Sequence, residues 1–209
     1  MSINRITTED QLEAVNGSPN PATMAKKISS LEQHARAFIA RCPFAVLATH
    51  SEHGTDASPR GDGPGFIQVL DDQTLLIPER PGNRIADSLR NIMANPKAAL
   101  LMMIPGMNET LRVNGQAWIT DHGPYLQTLA VAGKPPKLAI VLEVEELYFH
   151  CPKAYIRSKL WEPEHFMDRS DLPSMGRMLL EQIQGQSAAD EAAANLDQRL
   201  EQDVRDNLY

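Results

Sequence analysis

Cysteine is scarce in this chain. Two thiols, Cys42 and Cys151, stand among 209 residues, which excludes a disulfide framework and any zinc site built from four thiolates. Long apolar runs are missing as well. The longest, Ala98–Ile104, falls far short of the ~20 residues that span a bilayer. The stretch Met1–Asp10 carries no apolar segment of the kind a signal peptide needs. Positive charge is not in excess: 20 Lys+Arg face 27 Asp+Glu, a net charge of −7. That is the wrong sign for a chain-wide binder of nucleic acid or anionic membrane. P-loop, nucleophile-elbow and HExxH motifs are also absent. With 42% hydrophobic and 22% charged residues, the composition is that of an ordinary globular protein. The expectation is a cytoplasmic, reduced, single-core protein with no nucleic-acid or membrane partner.

Three regions differ in texture. Residues 1–43 read as an N-terminal helical segment. Ser30-Leu31-Glu32-Gln33 has the capping-box pattern, Leu31, Ala35, Phe38 and Ile39 share one helix face, and Pro43 stops the helix. Residues 44–151 change period. Short β-rich runs fall at Phe44–Thr49, Asp56–Arg60, Phe66–Leu70, Thr74–Ile77, Ala98–Ile104, Leu111–Thr120 and Leu138–Phe149, with turn residues between them. This spacing predicts a mainly β core with flanking helices (α+β), an antiparallel barrel or sandwich. Helices are expected near Arg84–Met93 and Pro124–Val131. Residues 152–209 read as a C-terminal helical extension, whose last helix has Leu196, Leu200 and Val204 on one face.

Two cationic features stand out. Arg60 ends the second strand, before Gly61-Asp62-Gly63-Pro64-Gly65, which reads as a flexible hairpin loop because no dinucleotide-binding helix pattern follows it. Arg84 is expected in the first turn of the next helix, after Pro81-Gly82-Asn83. A cation there opposes the helix dipole by about 0.3–1 kcal/mol. Either an anion sits there with Asn83 capping, or Arg84 pairs with Asp87 and Arg60 is a solvated strand end. The second feature is His150–Trp161, where Lys153 and Arg157 share a helical face near Trp161. It reads as a receptor for a planar anionic ring or as a solvated face. His50, His53, His150 and Cys151 have no diagnostic metal spacing, and no metal is expected. No residue stands out as a catalytic acid or base.

In this order the pieces resemble the pyridoxamine 5′-phosphate oxidase-like FMN-binding split-barrel superfamily. The nearest resemblance is to the group described only as FMN-dependent enzymes. It runs over roughly Phe44 to Trp161 and rests on the strand ending in Arg60, Leu76-Ile77-Pro78, Gly82–Leu89, Asn95-Pro96, Glu109–Gly115 and His150–Trp161. The resemblance implies a split antiparallel β-barrel, homodimeric, with FMN held non-covalently at the subunit interface. Arg60 and Arg84 would clamp the FMN phosphate, with Asn83 beside them. Gly61 and Asp62 would run their backbone along the flavin's pyrimidine edge, and Ile77 and Pro78 would lie against the cofactor. Thr110 would reach the flavin from the second subunit, and Lys153 or Arg157 would meet the reduced ring or an acidic substrate.

The departures define what the resemblance does not carry. No lysine follows Arg60, Leu129 stands where the oxidase proper has an arginine, and the tail Arg205–Tyr209 has no Arg-x-His. The expectation is therefore an FMN oxidoreductase acting on a small-molecule substrate, and not the vitamin B6 oxidase. The alternatives are a flavin or haem carrier or sensor on the same fold (with His150 or His53 as axial ligand), a deazaflavin-dependent reductase, and a cofactor-free interaction module.

Overall fold

The computed structural model describes residues 4–209. The first three residues of the N-terminal segment lie outside the described residues. Seven strands form one antiparallel sheet: β1 Phe44–Ser51, β2 Gly54–Gly61, β3 Gln68–Val69, β4 Thr74–Glu79, β5 Lys97–Met103, β6 Thr110–Thr120 and β7 Leu138–His150. Their order is β2-β1-β5-β6-β7-β4-β3. Each expected β run is a strand, because alternate residues face one core. Ala45 and Leu47 point inward beside Met102 and Leu100 of β5, and these face Leu111 and Val113 of β6. Leu147, Leu142, Ile140, Leu75 and Ile77 carry the same core across β7 and β4. The sheet thus curls into the split antiparallel barrel that the resemblance implies, flanked by helices.

The first three helices are α1 Glu9–Asn16, α2 Pro21–Ala25 and α3 Gln33–Ile39. α3 is too short to be stable alone. It buries Ala35, Phe38 and Ile39 in the barrel core, beside Leu31 just ahead of it, and each large apolar side chain contributes on the order of 1.5–3 kcal/mol. The cap differs from the expected Ser30. Leu31 N–H donates to Asp72 O, so the chain is still held to the β3–β4 turn there. The helix begins only after Glu32, whose carboxylate accepts from His34 and Ala35 N–H.

The barrel is split between two edges, and each edge carries a proline. β2 pairs only with β1 and holds Pro59. β3 pairs with β4 only at Leu75 and Leu76, so β4 is an edge beyond Ile77, where Pro78 stands. Proline lacks the N–H of a ladder, so these edges cannot be zipped together by backbone bonds at those positions. Side chains bridge them. Arg80 Nε donates to Asp62 Oδ2 at 2.6 Å, and the Asp62 side chain is only 5% exposed.

The remaining helices are α4 Asp87–Ala94, α5 Gly123–Thr128, α6 Lys153–Ser158, α7 Met175–Gln184 and α8 Asp190–Asp206. α4 covers β1 through a polar contact: Asn91 Nδ2 donates to Thr49 Oγ1 and its Oδ1 accepts from Ser51 Oγ. α7 and α8 form a hairpin in which Gly176 N–H donates to Asp197 Oδ1. A Cβ at Gly176 would lie 2.6 Å from Ala193 O. Leu196 and Leu200 of the expected face are half-buried, whereas Val204 stays exposed. No helix among the described residues is long and apolar enough to cross a membrane.

Two outcomes follow from this packing. β6 and β7 shift register at Asn114/Gly115, and a Cβ on Gly115 would stand 1.9 Å from Glu143 O. Gly115→Ala is expected to cost about 2–4 kcal/mol of stability by denaturant titration. A cost below about 0.5 kcal/mol would contradict that contact. Burial raises the Asp62 carboxyl, but the Gly63 N–H, the Tyr209 hydroxyl and Arg80 outweigh it and hold it below its usual range. Its ionised form therefore stabilises the fold above the unfolded carboxylate pKa, and this is lost as pH falls through the folded one. Asp62→Asn should cost roughly 1–3 kcal/mol near neutrality, a difference that closes below about pH 4.

Candidate functional site

Arg60 lies on the inward-facing side of β2, opposite Ala45 of β1. Its side chain is only 12% exposed. Nη1 donates to Ser58 Oγ at 2.7 Å and to Pro59 O at 3.0 Å, which fixes the plane of the guanidinium. Nη2 approaches Glu79 Oε2 at 3.2 Å across the split. That approach is an ion pair without hydrogen-bond geometry: both Arg60 Nε and Glu79 Oε2 are buried with no hydrogen-bond partner. Burial pushes the Glu79 carboxyl above its ordinary range, against the pull of Arg60. An orphaned guanidinium N–H in a buried place costs on the order of 1–3 kcal/mol.

One step further along the split, the Asp62–Arg80 pair is satisfied on every side. Arg80 Nη2 also donates to Leu129 O, and the Tyr209 hydroxyl donates to Asp62 Oδ1 at 2.8 Å. The Tyr209 ring lies 5.6 Å from the Arg80 guanidinium. A groove of about 230 Å³ runs beside this pair, lined by Asp62, Gly65, Phe66, Arg80 and Leu129. Arg60 is not part of its lining.

The glycine loop is pinned, contrary to the expected flexible hairpin loop. Asp62 N–H donates to Pro43 O, Gly65 N–H to Cys42 O and Gly63 N–H to Asp62 Oδ1. Gly65 adopts φ +79 with Ala40 O 3.0 Å from the place of a Cβ, so only glycine fits. With the Asp62 amide engaged, what the Asp62 backbone offers a ligand is its carbonyl.

Arg84 does not sit in the first turn of a helix, as its sequence position implies. α4 starts at Asp87, and the segment before it adopts left-handed backbone at Arg84 (φ 61) and Ala86 (φ 60). The dipole argument therefore does not apply. Ile85 between them is gripped from both sides: its N–H donates to Asn83 Oδ1, and its carbonyl accepts from Arg90. Left-handed non-glycine residues cost on the order of 1 kcal/mol each and concentrate at ligand clamps. Arg84 is exposed, and among the described residues it makes no ion pair; Asp87 pairs with Arg90 instead.

The other expected site residues are dispersed. Ile77 is fully buried in the barrel core, while Pro78 is buried toward the outer layer of Leu76, Leu126 and Leu129. Thr110 opens β6 opposite His150, and is 3% exposed. Lys153 and Arg157 are exposed on α6, and neither has an acidic partner among the described residues. Trp161 is engaged: its Nε1 donates to Met107 O and its ring stacks on Tyr155 at 5.9 Å. No hydrogen bond or ion pair among the described residues joins Arg84, Lys153 or Arg157 to Arg60. Metal-capable side chains gather, among the described residues, at Glu162, Glu164 and His165 rather than at His50, His53, His150 and Cys151. That group sits at the surface.

Glu79, Arg80 and Tyr209 were not singled out by sequence reasoning. A signal for the first two exists. Arg60-Gly61-Asp62 and Glu79-Arg80 are strand ends of complementary charge order.

The profile of the family described as pyridoxamine 5′-phosphate oxidase matches residues 31–151. No curated protein matches the chain. Among solved structures, HupZ from Group A Streptococcus is 20% identical, with 56% of this chain and 92% of that one covered and a TM-score of 0.46. A candidate pyridoxamine 5′-phosphate oxidase from Lactobacillus delbrueckii is 22% identical, with 59% and 98% covered and a TM-score of 0.46. An FMN-binding protein from Syntrophomonas wolfei is 13% identical, with 56% and 84% covered and a TM-score of 0.44. The matched segment begins at the helix that plugs the barrel and ends just past its last strand, and on that match the chain belongs to the pyridoxamine 5′-phosphate oxidase family.

Proposed function

We propose that the protein is a homodimeric flavoprotein that binds FMN non-covalently between its subunits and acts as an oxidoreductase on a small-molecule substrate. The observation that carries this reading is the Nε–Nη2 edge of Arg60, buried, held in plane by Ser58 and Pro59, and lacking an acceptor at Nε. A guanidinium edge takes two oxygens of a phosphate side by side. The residues present therefore fit the phosphate end of the cofactor.

Arg60 holds that phosphate, and Arg84, exposed and without an acidic partner among the described residues, closes on it from the strained loop with Asn83. The backbone of Gly61 and Asp62, together with the end of β4 at Ile77 and Pro78, positions the ring. Thr110 serves the site of the second subunit. Lys153 or Arg157 places positive charge near the ring or an acidic substrate. Bound FMN supplies two-electron transfer; the protein supplies position and electrostatics. The unpaired thiols, Cys42 buried and Cys151 exposed, fit the reducing cytoplasm. The missing arginine at Leu129 supports a substrate other than a B6 vitamer.

Arg60→Ala should weaken FMN binding roughly ten- to a hundredfold, the scale of charge-assisted hydrogen bonds, in a protein whose thermal unfolding stays cooperative. Arg84→Ala should weaken it by a smaller factor. Titration of the apoprotein by quenching of flavin fluorescence checks both, and wild-type affinity in both variants would overturn the phosphate assignment.

A further inference from the structure

Arg60 and Glu79 form a pair in which charge is matched but hydrogen bonding is not. They come from β2 and β4, strands that are not neighbours in the sheet. Their side chains are 12% and 24% exposed. The carboxylate reaches the guanidinium with one oxygen, at 3.2 Å from Nη2, and leaves both Nε and its own Oε2 without a partner. A phosphate seated on the same edge would supply the acceptor that Nε lacks, while Glu79 Oε2 lacks a donor, which a proton would provide. The phosphate would also stand beside an ionised carboxylate, and two like charges that close in a sheltered site do not both stay ionised.

We propose that Glu79 makes anion binding at Arg60 proton-linked: a phosphate dianion takes the guanidinium edge together with one proton, held on the Glu79 carboxyl or shared between it and a phosphate oxygen. The proposal rests on Arg60 being the phosphate ligand. The proton comes from solvent, and no other bond is made or broken. The charged group acting on Glu79 is Arg60 of β2. On β7 it faces Leu138. Its chain neighbour Arg80 is closed within the pair with Asp62 and the hydrogen bond from Tyr209, whose phenol that bond pushes upward. Burial raises the Glu79 carboxyl before any ligand arrives, so the proton enters a group already prepared for it. The site then discriminates by protonation as well as by shape, and favours phosphate esters as pH falls.

The test is FMN binding between about pH 7 and 8.5, where a phosphate monoester with a second pKa of about 6 is already dianionic. Wild-type affinity should fall with rising pH, approaching tenfold per unit, roughly the slope of one linked proton. Calorimetry in two buffers of different ionisation heat should read uptake of about one proton per FMN, a measurement that needs no variant. Glu79→Gln should bind FMN more tightly at the upper pH and lose the slope. Riboflavin, without the phosphate, should show no slope in either protein. If FMN binds through Arg60 with no proton uptake and Glu79→Gln matches the wild type, the linkage is overturned and the cofactor reading stands. If FMN binding at every pH ignores Arg60→Ala, both fall together.

Discussion

The structure depends on one constraint: two edge strands that face each other and cannot zip. Pro59 in β2 and Pro78 in β4 remove the donors that backbone pairing would need. Closing the barrel is left to side chains, and the charges at the strand ends are arranged for it. Arg60 and Asp62 on one side meet Glu79 and Arg80 on the other. The rest follows from that split. The core can be as apolar as it is because polar closure is confined to one seam.

The two pairs at the seam are chemically unequal. Asp62–Arg80 is fully partnered, with Tyr209 and Leu129 completing it, and it acts as the fixed point. Arg60–Glu79 is buried but incompletely bonded. A buried polar group without a hydrogen-bond partner is rare in a settled fold and calls for an explanation. A saturated pair and an unsaturated one thus sit side by side on the same two strands, separated by a residue or two. A chain of net negative charge can still hold unpaired positive charge locally, as it does at the Arg60 Nε.

Much of this architecture was legible in the residues. The strands declare themselves because Ala45, Leu47 and their counterparts alternate between core and surface, and α3 because Leu31, Ala35, Phe38 and Ile39 share a face. Less legible was anything set by tertiary contact. The cap of α3 moved from Ser30 to Glu32 because the Leu31 amide is held by Asp72. The loop at Arg84 and Ala86 takes left-handed backbone without a glycine to announce it. Arg60 was legible as a cation worth singling out, but its opposite number Glu79 was not, since nothing local says which two edges of a barrel meet. Tyr209 bonds to a carboxylate 147 positions away, beyond the reach of any motif.

The central claim is that the orphaned edge of Arg60 receives the phosphate of a flavin nucleotide. The most direct measurement is the absorption spectrum of the purified protein, with and without added FMN, and the mass of any chromophore released on denaturation. The account predicts a flavin spectrum and a released molecule with the mass of FMN. A colourless protein whose spectrum and thermal stability ignore added FMN would contradict it.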